Sequence, residues 1–178
     1  SPGGPIANGP LGVPGSKKFA GSRGPEKGLS ENSVAAKRLI ESNFPAIETI
    51  GGYRPTDVTP FGTFNEHSSG EAIDVMIPNW SSPQGKAYGD RIANWALANA
   101  DALGTEWVIW QQKTFYPDGR VSNMGDRGSP TQNHFDHVHL KTRKGAVPSG
   151  MRRFGPGGAA RTPAADGGAI TTQAGALS

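Results

Sequence analysis

All four histidines of this 178-residue chain fall in two short stretches. The first reads His67-Ser-Ser-Gly70-Glu-Ala72-Ile-Asp74, and the second His134-Phe-Asp136-His137-Val-His139. Both lie where apolar residues predict strands of a sheet, so their ionisable groups are expected to be buried. An unpaired imidazole or carboxylate is costly to bury, and four histidines with two carboxylates need a common partner. A divalent cation is the simplest. Two His with one Asp is a catalytic type of ligand set, because it leaves the fourth position of a zinc ion to water.

The spacing fits that chemistry. His67 ends a loop, Gly70 lets the backbone turn sharply, and Asp74 then points inward from a strand. His137 and His139 alternate onto one face of the last strand, with Val138 and Leu140 on the core side. Asp136 and His139 are three residues apart, so on a straight strand they face opposite sides. Both reach one ion only if the strand begins or bends near 136–137.

His67-x-x-Gly70-x-Ala72-x-Asp74 resembles the first motif of the D-Ala-D-Ala metallopeptidases, within the LAS-type zinc peptidases that include lysostaphin-type enzymes and share a fold with the hedgehog signalling domain. Their second motif is Glu/Asp-x-x-His or His-x-His, and Asp136-His137-Val138-His139 satisfies both, as in phage endolysins that cut L-Ala-D-Glu bonds. Gly51-Gly52-Tyr53-Arg54 is similar to the strand that supplies an active-site arginine. Actinobacterial and actinophage domains ending Asp-His-Val-His look similar too. The resemblance spans about residues 30–142, in order.

The resemblance implies a hedgehog/DD-peptidase-like fold and Zn2+ held by His67, Asp74 and His139. It places Asp136 at the general base, Arg54 against an oxyanion or substrate carboxylate, and His137 beside the ligands or at the tetrahedral intermediate. It assigns His134 no position. The implied reaction is hydrolysis of peptidoglycan stem or crosslink peptides, of the D,D-carboxypeptidase/endopeptidase or L-Ala-D-Glu endopeptidase type. The implied setting is extracellular, at the cell wall or in a phage virion. Read from residues alone, Asp136 caps a turn or orients a histidine as readily as it acts as a base, and Arg54 also suits a surface ion pair.

The elements that must position these groups are legible in outline. Ser30 is expected to cap a helix running to about Asn43, with Val34, Leu39 and Ile40 on its apolar side and Pro45 ending it. Residues 47–53 read as a strand and 55–66 as a loop. In 71–77, Ile73, Val75 and Ile77 share one face, while Ala72, Asp74 and Met76 share the other. A helix is expected from Gln84 to Leu103, with Asn99 as its polar exception and Gly104 stopping it. A buried strand follows at 106–112, and Pro-Asp-Gly within 115–121 suggests a hairpin. After a loop at 122–133, the last strand runs near 135–141. Trp95, Trp107 and Trp110 are expected in the core, whereas Trp80 sits in a Pro-rich loop where it could line a groove. The sum is an α+β fold with a largely antiparallel sheet and helices packed on one side.

Composition sets the boundaries. Residues 1–28 and 145–178 are mostly Gly, Pro, Ala, Ser and Thr and read as flexible flanks of one zinc peptidase domain over 29–144. Residues 29–140 carry eight Lys/Arg against 13 Asp/Glu, a net −5, while 1–28 carry a net +3 and 141–178 a net +5. An acidic body with basic flanks argues against a nucleic-acid-binding domain. With no cysteine, any zinc site must use His and carboxylates. No apolar run approaches a membrane span and no signal peptide opens the chain. A start at Ser1 suggests a segment of a longer phage or secreted chain. Two other readings stand beside the enzyme: a zinc-containing wall-binding module without turnover, and a peptidase segment of a phage tail or virion protein.

Overall fold

The computed structural model describes residues 22–145 and 147, apart from 57, 61 and 64. The expected flexible flanks therefore lie outside the described residues up to residue 21, at residue 146 and from residue 148 onward.

The chain runs through helix α1 (Glu31–Asn43), β1 (Ile50–Gly51), β2 (Val58–Thr59), β3 (Gly62–Thr63), β4 (Ala72–Met76), α2 (Pro83–Ala98) and α3 (Ala100–Leu103). It continues as β5 (Thr105–Trp110), β6 (Lys113–Phe115), β7 (Val121–Asn123) and β8 (His137–Thr142). Six strands form one sheet in the order β1-β4-β8-β5-β6-β7, every neighbouring pair antiparallel. This is the α+β architecture expected from the sequence.

One face of the sheet carries the core. Ile73, Val75, Val108, Trp110, Val138 and Leu140 pack in one cluster with Ala36, Ile40, Ile92, Ala93, Trp95 and Ala96 of the helices. Burying each large aliphatic side chain contributes about 1.5–3 kcal/mol. On β4 and β8 this offsets the cost of burying Asp74, His137 and His139 on the opposite face. Trp110 Nε1 donates to Asp90 Oδ1 at 2.9 Å and ties α2 to β5.

Several elements depart from expectation. Only Ile50–Gly51 of the 47–53 segment pairs in the sheet, because its one neighbour is β4. The 55–66 loop contains a small hairpin, β2–β3. The long helix breaks at Asn99, whose Nδ2 donates to Trp95 O at 2.9 Å, and a short turn of helix then ends at Gly104 with φ 74°. Trp107 leaves the core face, stands half-buried and lines a cleft described below.

Helix α1 is capped by Ser30, whose side chain accepts from Ser33 N at 3.2 Å. Its buried face is more polar than its sequence suggests: Val34 and Leu39 are half-buried, while Lys37 is fully buried. Lys37 Nζ is paired at 2.7 Å with Glu41 and at 3.0 Å with Glu26. Arg23 N donates to Glu41 Oε2 at 2.7 Å, and Ile50 N donates to Arg23 O at 3.0 Å. Residues 22–28, which by composition belong to a flexible flank, are thus built into the body. At the other end Val147 is buried and its N–H donates to Asn32 Oδ1 at 3.1 Å. No helix among the described residues is long and apolar enough to cross a membrane.

Candidate metal centre

The first motif works as its glycine predicts. The 66–70 turn closes with Gly70 N donating to His67 O at 3.1 Å and Ser30 N donating to Gly70 O at 2.9 Å. Gly70 has φ +77°, and a Cβ there would lie 2.1 Å from Gly28 O. The turn therefore needs glycine both for conformation and for space. It delivers His67 beside β4, where Asp74 is directly paired with Gly51 on one side and His139 on the other.

These side chains converge and are nearly inaccessible: His67, Asp74, His137 and His139 are 3, 8, 4 and 5% exposed. His67 Nδ1 lies 2.9 Å from Gly52 O, so that nitrogen carries the proton, and Nε2 faces Asp74 Oδ2 at 3.2 Å. His139 Nδ1 lies 3.0 Å from Asp74 Oδ1, and its Nε2 lies 2.7 Å from Glu66 Oε1. Arg54 Nη1 donates to Asp74 Oδ2 at 3.3 Å.

Protons and charge tie the cluster together. Burial alone would raise Asp74, but the imidazoles of His137, His139 and His67 hold its carboxyl well below the usual range. Burial likewise works against a charged His139, yet Asp74 and Glu66 on its two nitrogens outweigh that and raise it to about 9. Glu66 is lowered, its own burial being overcome by His139. His134 goes the other way: burial, then the neighbouring His137 and His139, push it down to about 3.

The donor set fits a divalent cation. One ligand atom from each of His67, Asp74 and His139 lies within 4.8 Å of the others, and a second group of the same kind is His134, His137 and His139. His67 Nε2 and His139 Nδ1 flank the Asp74 carboxylate, one at Oδ2 (3.2 Å) and the other at Oδ1 (3.0 Å). The outer nitrogens of His67 and His139 are each tied to an oxygen, which orients metal-binding imidazoles. The cluster lines a cleft of about 550 Å³ whose other walls include Val58, Trp107, Ile109, Tyr116 and Arg127.

Asp136 sits just before β8, as one of the two possibilities for that segment required. Its Oδ1 lies 2.8 Å from His137 Nδ1 and its Oδ2 accepts from Thr131 Oγ1 at 2.8 Å. The bond to His137 chiefly lowers its pKa. The carboxylate is thus turned to the back of His137, whose Nε2 faces Asp74 Oδ1 at 3.6 Å.

Glu66 escaped the sequence reading, and His134, grouped there with the other histidines, has no role assigned by it. Glu66 immediately precedes His67, and an acid beside a candidate ligand is the only sign of it. His134 lines the cleft with its ring 4.6 Å from that of His137 and 5.5 Å from that of His139. Its backbone has φ 56°, a conformation invisible in residue spacing. Trp80 packs against the core rather than in the cleft. Gln111 supports the His134 loop: its N–H donates to His134 O at 2.9 Å. In the 126–128 turn Gly128 N donates to Asp126 Oδ1 at 2.8 Å, while Arg127 lines the cleft.

A family model described as VldE, C-terminal domain, matches residues 25–135, more than half of the chain, and the chain belongs to that family. The match takes in His67, Asp74 and His134 and ends just before Asp136. No curated protein and no solved structure matches the chain.

Proposed function

We propose that this member of the VldE C-terminal domain family is a zinc-dependent peptidase that hydrolyses peptidoglycan stem or crosslink peptides, acting outside the cell at the wall or as part of a phage virion. The observation that supports it most is the convergence of His67 Nε2, the Asp74 carboxylate and His139 Nδ1 beside an open cleft. The substrate class rests on the likeness of both motifs to those of the D-Ala-D-Ala metallopeptidases.

Zinc held by His67, Asp74 and His139 would supply Lewis acidity to a scissile amide carbonyl and acidify water. The chain's own groups do the rest. Glu66 and Gly52 O orient the two ligand imidazoles through their outer nitrogens. Asp136 accepts the Nδ1 proton of His137, which leaves Nε2 facing the cluster as a proton acceptor. In that arrangement His137 takes a proton from the attacking water and returns it to the leaving amine, while Asp136 stabilises the imidazolium. The resemblance gives Asp136 this role directly; in this geometry its carboxylate acts through His137. Arg54, whose side chain is 47% exposed, offers charge to the oxyanion or to a substrate carboxylate.

The reading is tested by incubating the zinc-loaded domain with soluble muropeptides of defined structure and identifying new termini by mass spectrometry. Release of a single, reproducible pair of products that disappears with EDTA and returns with zinc supports it. Intact muropeptides of every stem and crosslink type, with zinc bound, would exclude it.

A further inference from the structure

We propose that His134, His137 and His139 form a second seat for a divalent ion, sharing His139 with the seat made by His67 and Asp74. The proposed reaction needs only the first seat and gives His134 nothing to do, yet the fold goes to some length to place it. His134 is a non-glycine residue with φ 56°, a region few such residues adopt. Its loop is held from both sides: Gln111 N and Gln112 N donate to His134 O and Asn133 O at 2.9 Å, and His134 N donates to Thr131 O at 3.1 Å.

The outer nitrogens decide what the rings can offer. His134 Nδ1 lies 3.1 Å from Gln132 O, and a carbonyl only accepts, so that nitrogen carries the hydrogen of the neutral ring. His137 Nδ1 is likewise held by Asp136 Oδ1 at 2.8 Å. In both rings Nε2 is therefore the nitrogen left to offer a lone pair to an ion. Among the described residues His134 Nε2 has no hydrogen-bond partner, and the Asp74 oxygen facing His137 Nε2 is 3.6 Å away, too far for a hydrogen bond. A carbonyl or carboxylate on the outer nitrogen is how protein matrices orient metal-binding imidazoles. Ligand atoms of the three histidines lie within 4.8 Å of one another. Ring packing alone would explain the 4.6 Å separation of His134 and His137, but a ring nitrogen of each also lies within 4.8 Å of one of His139.

The two seats are alternatives. His139 Nε2 is engaged by Glu66 at 2.7 Å, which leaves Nδ1 as the nitrogen for an ion, and one lone pair serves one ion. An all-imidazole seat favours Zn2+, Ni2+ or Cu2+ over Mg2+, Ca2+ or Mn2+. If the peptidase reading holds, an ion in this seat also occupies His137 Nε2 and so switches off the proton acceptor.

The test counts metal and needs no turnover, so its failure is separate from failure of the peptidase reading. Apo-protein is loaded with Zn2+, separated from free ion, and its zinc content measured, with circular dichroism to confirm folding. The double variant His67→Gln/Asp74→Asn is expected to keep a single zinc equivalent, and adding His134→Gln to remove it. A folded double variant that binds no zinc overturns the second seat. If the double variant fails to fold, the first seat is weakened by His67→Gln alone and Co2+ replaces Zn2+. Adding His134→Gln to that variant is then expected to change the visible cobalt absorption, and an unchanged spectrum in the folded pair overturns the proposal.

Discussion

His139 and Asp74 face each other at a directly paired position of β8 and β4, with Nδ1 and Oδ1 3.0 Å apart. Neighbouring antiparallel strands bring such residues together without help from any loop, so their separation is set by the most buried part of the sheet. His67 and His134 reach the same point from turns on either side. His139 is thereby common to both groups of metal-binding side chains.

His139→Ala is therefore expected to lose zinc more completely than any other single change in the cluster. A competition titration with a coloured chelator should show affinity falling by on the order of 10²-fold or more. Replacement of His134 alone should leave the first seat, and hence high affinity, in place.

Acid and alkali should act on the metal-free fold through different residues. His139 is raised to about 9, above its unfolded value near 6.5, so the stability it contributes is fully present below about pH 6.5 and is lost as pH rises through 9. His134 is lowered to about 3, so its contribution is present above about pH 6.5 and is lost as pH falls towards 3. Asp74, lowered well below its usual range, adds to the loss on the acid side. Thermal melts of apo-protein against pH should form a dome whose alkaline limb flattens in His139→Gln and whose acid limb flattens in His134→Gln. At neutral pH zinc uptake must displace the His139 proton, so proton release on binding and an affinity that climbs up to about pH 9 are expected.

Much of this centre is legible in the sequence because burial makes ionisable residues conspicuous. Asp74 and His139 stand out as charges in apolar, alternating strands, and Gly70 marks the turn that must precede Asp74. The rest depends on contacts between distant segments. Lys37 is not among the residues expected on the buried side of its helix, and it is buried there because Glu26 and Glu41 pair with it. His134 enters the cleft through a left-handed backbone that Gln111 and Gln112 hold in place. Asp136 sits where its motif puts it, but Thr131 and His137 decide which way its carboxylate points.

Gly70→Ala should damage the centre from outside it. A side chain at φ +77° costs about 1–3 kcal/mol, and the collision with Gly28 O would move the turn that carries His67. Melting temperature and zinc affinity should fall together. Gly119→Ala is the matched control: it has φ +98° but nothing within 4 Å of the added Cβ, so it should lower the melting point modestly and leave zinc affinity alone.

Residues 22–28 should prove part of the folding unit. A chain starting at residue 29 loses the Arg23 bonds to Glu41 and Ile50, and it leaves fully buried Lys37 without Glu26. Compared with a chain starting at residue 22, its urea unfolding midpoint should correspond to a loss of a few kcal/mol.

The central claim, zinc-dependent peptide hydrolysis, is tested most directly on purified peptidoglycan sacculi, by quantifying newly formed amino and carboxyl termini. Native domain, EDTA-stripped and zinc-restored samples, and His137→Ala would be compared at equal zinc content where zinc is bound. The account predicts cleavage that is lost with EDTA, recovered with zinc, and reduced by about 10²–10⁴-fold in His137→Ala. Equal rates for native domain and His137→Ala would contradict the proton-transfer role, and no new termini from zinc-loaded native domain would contradict the peptidase itself.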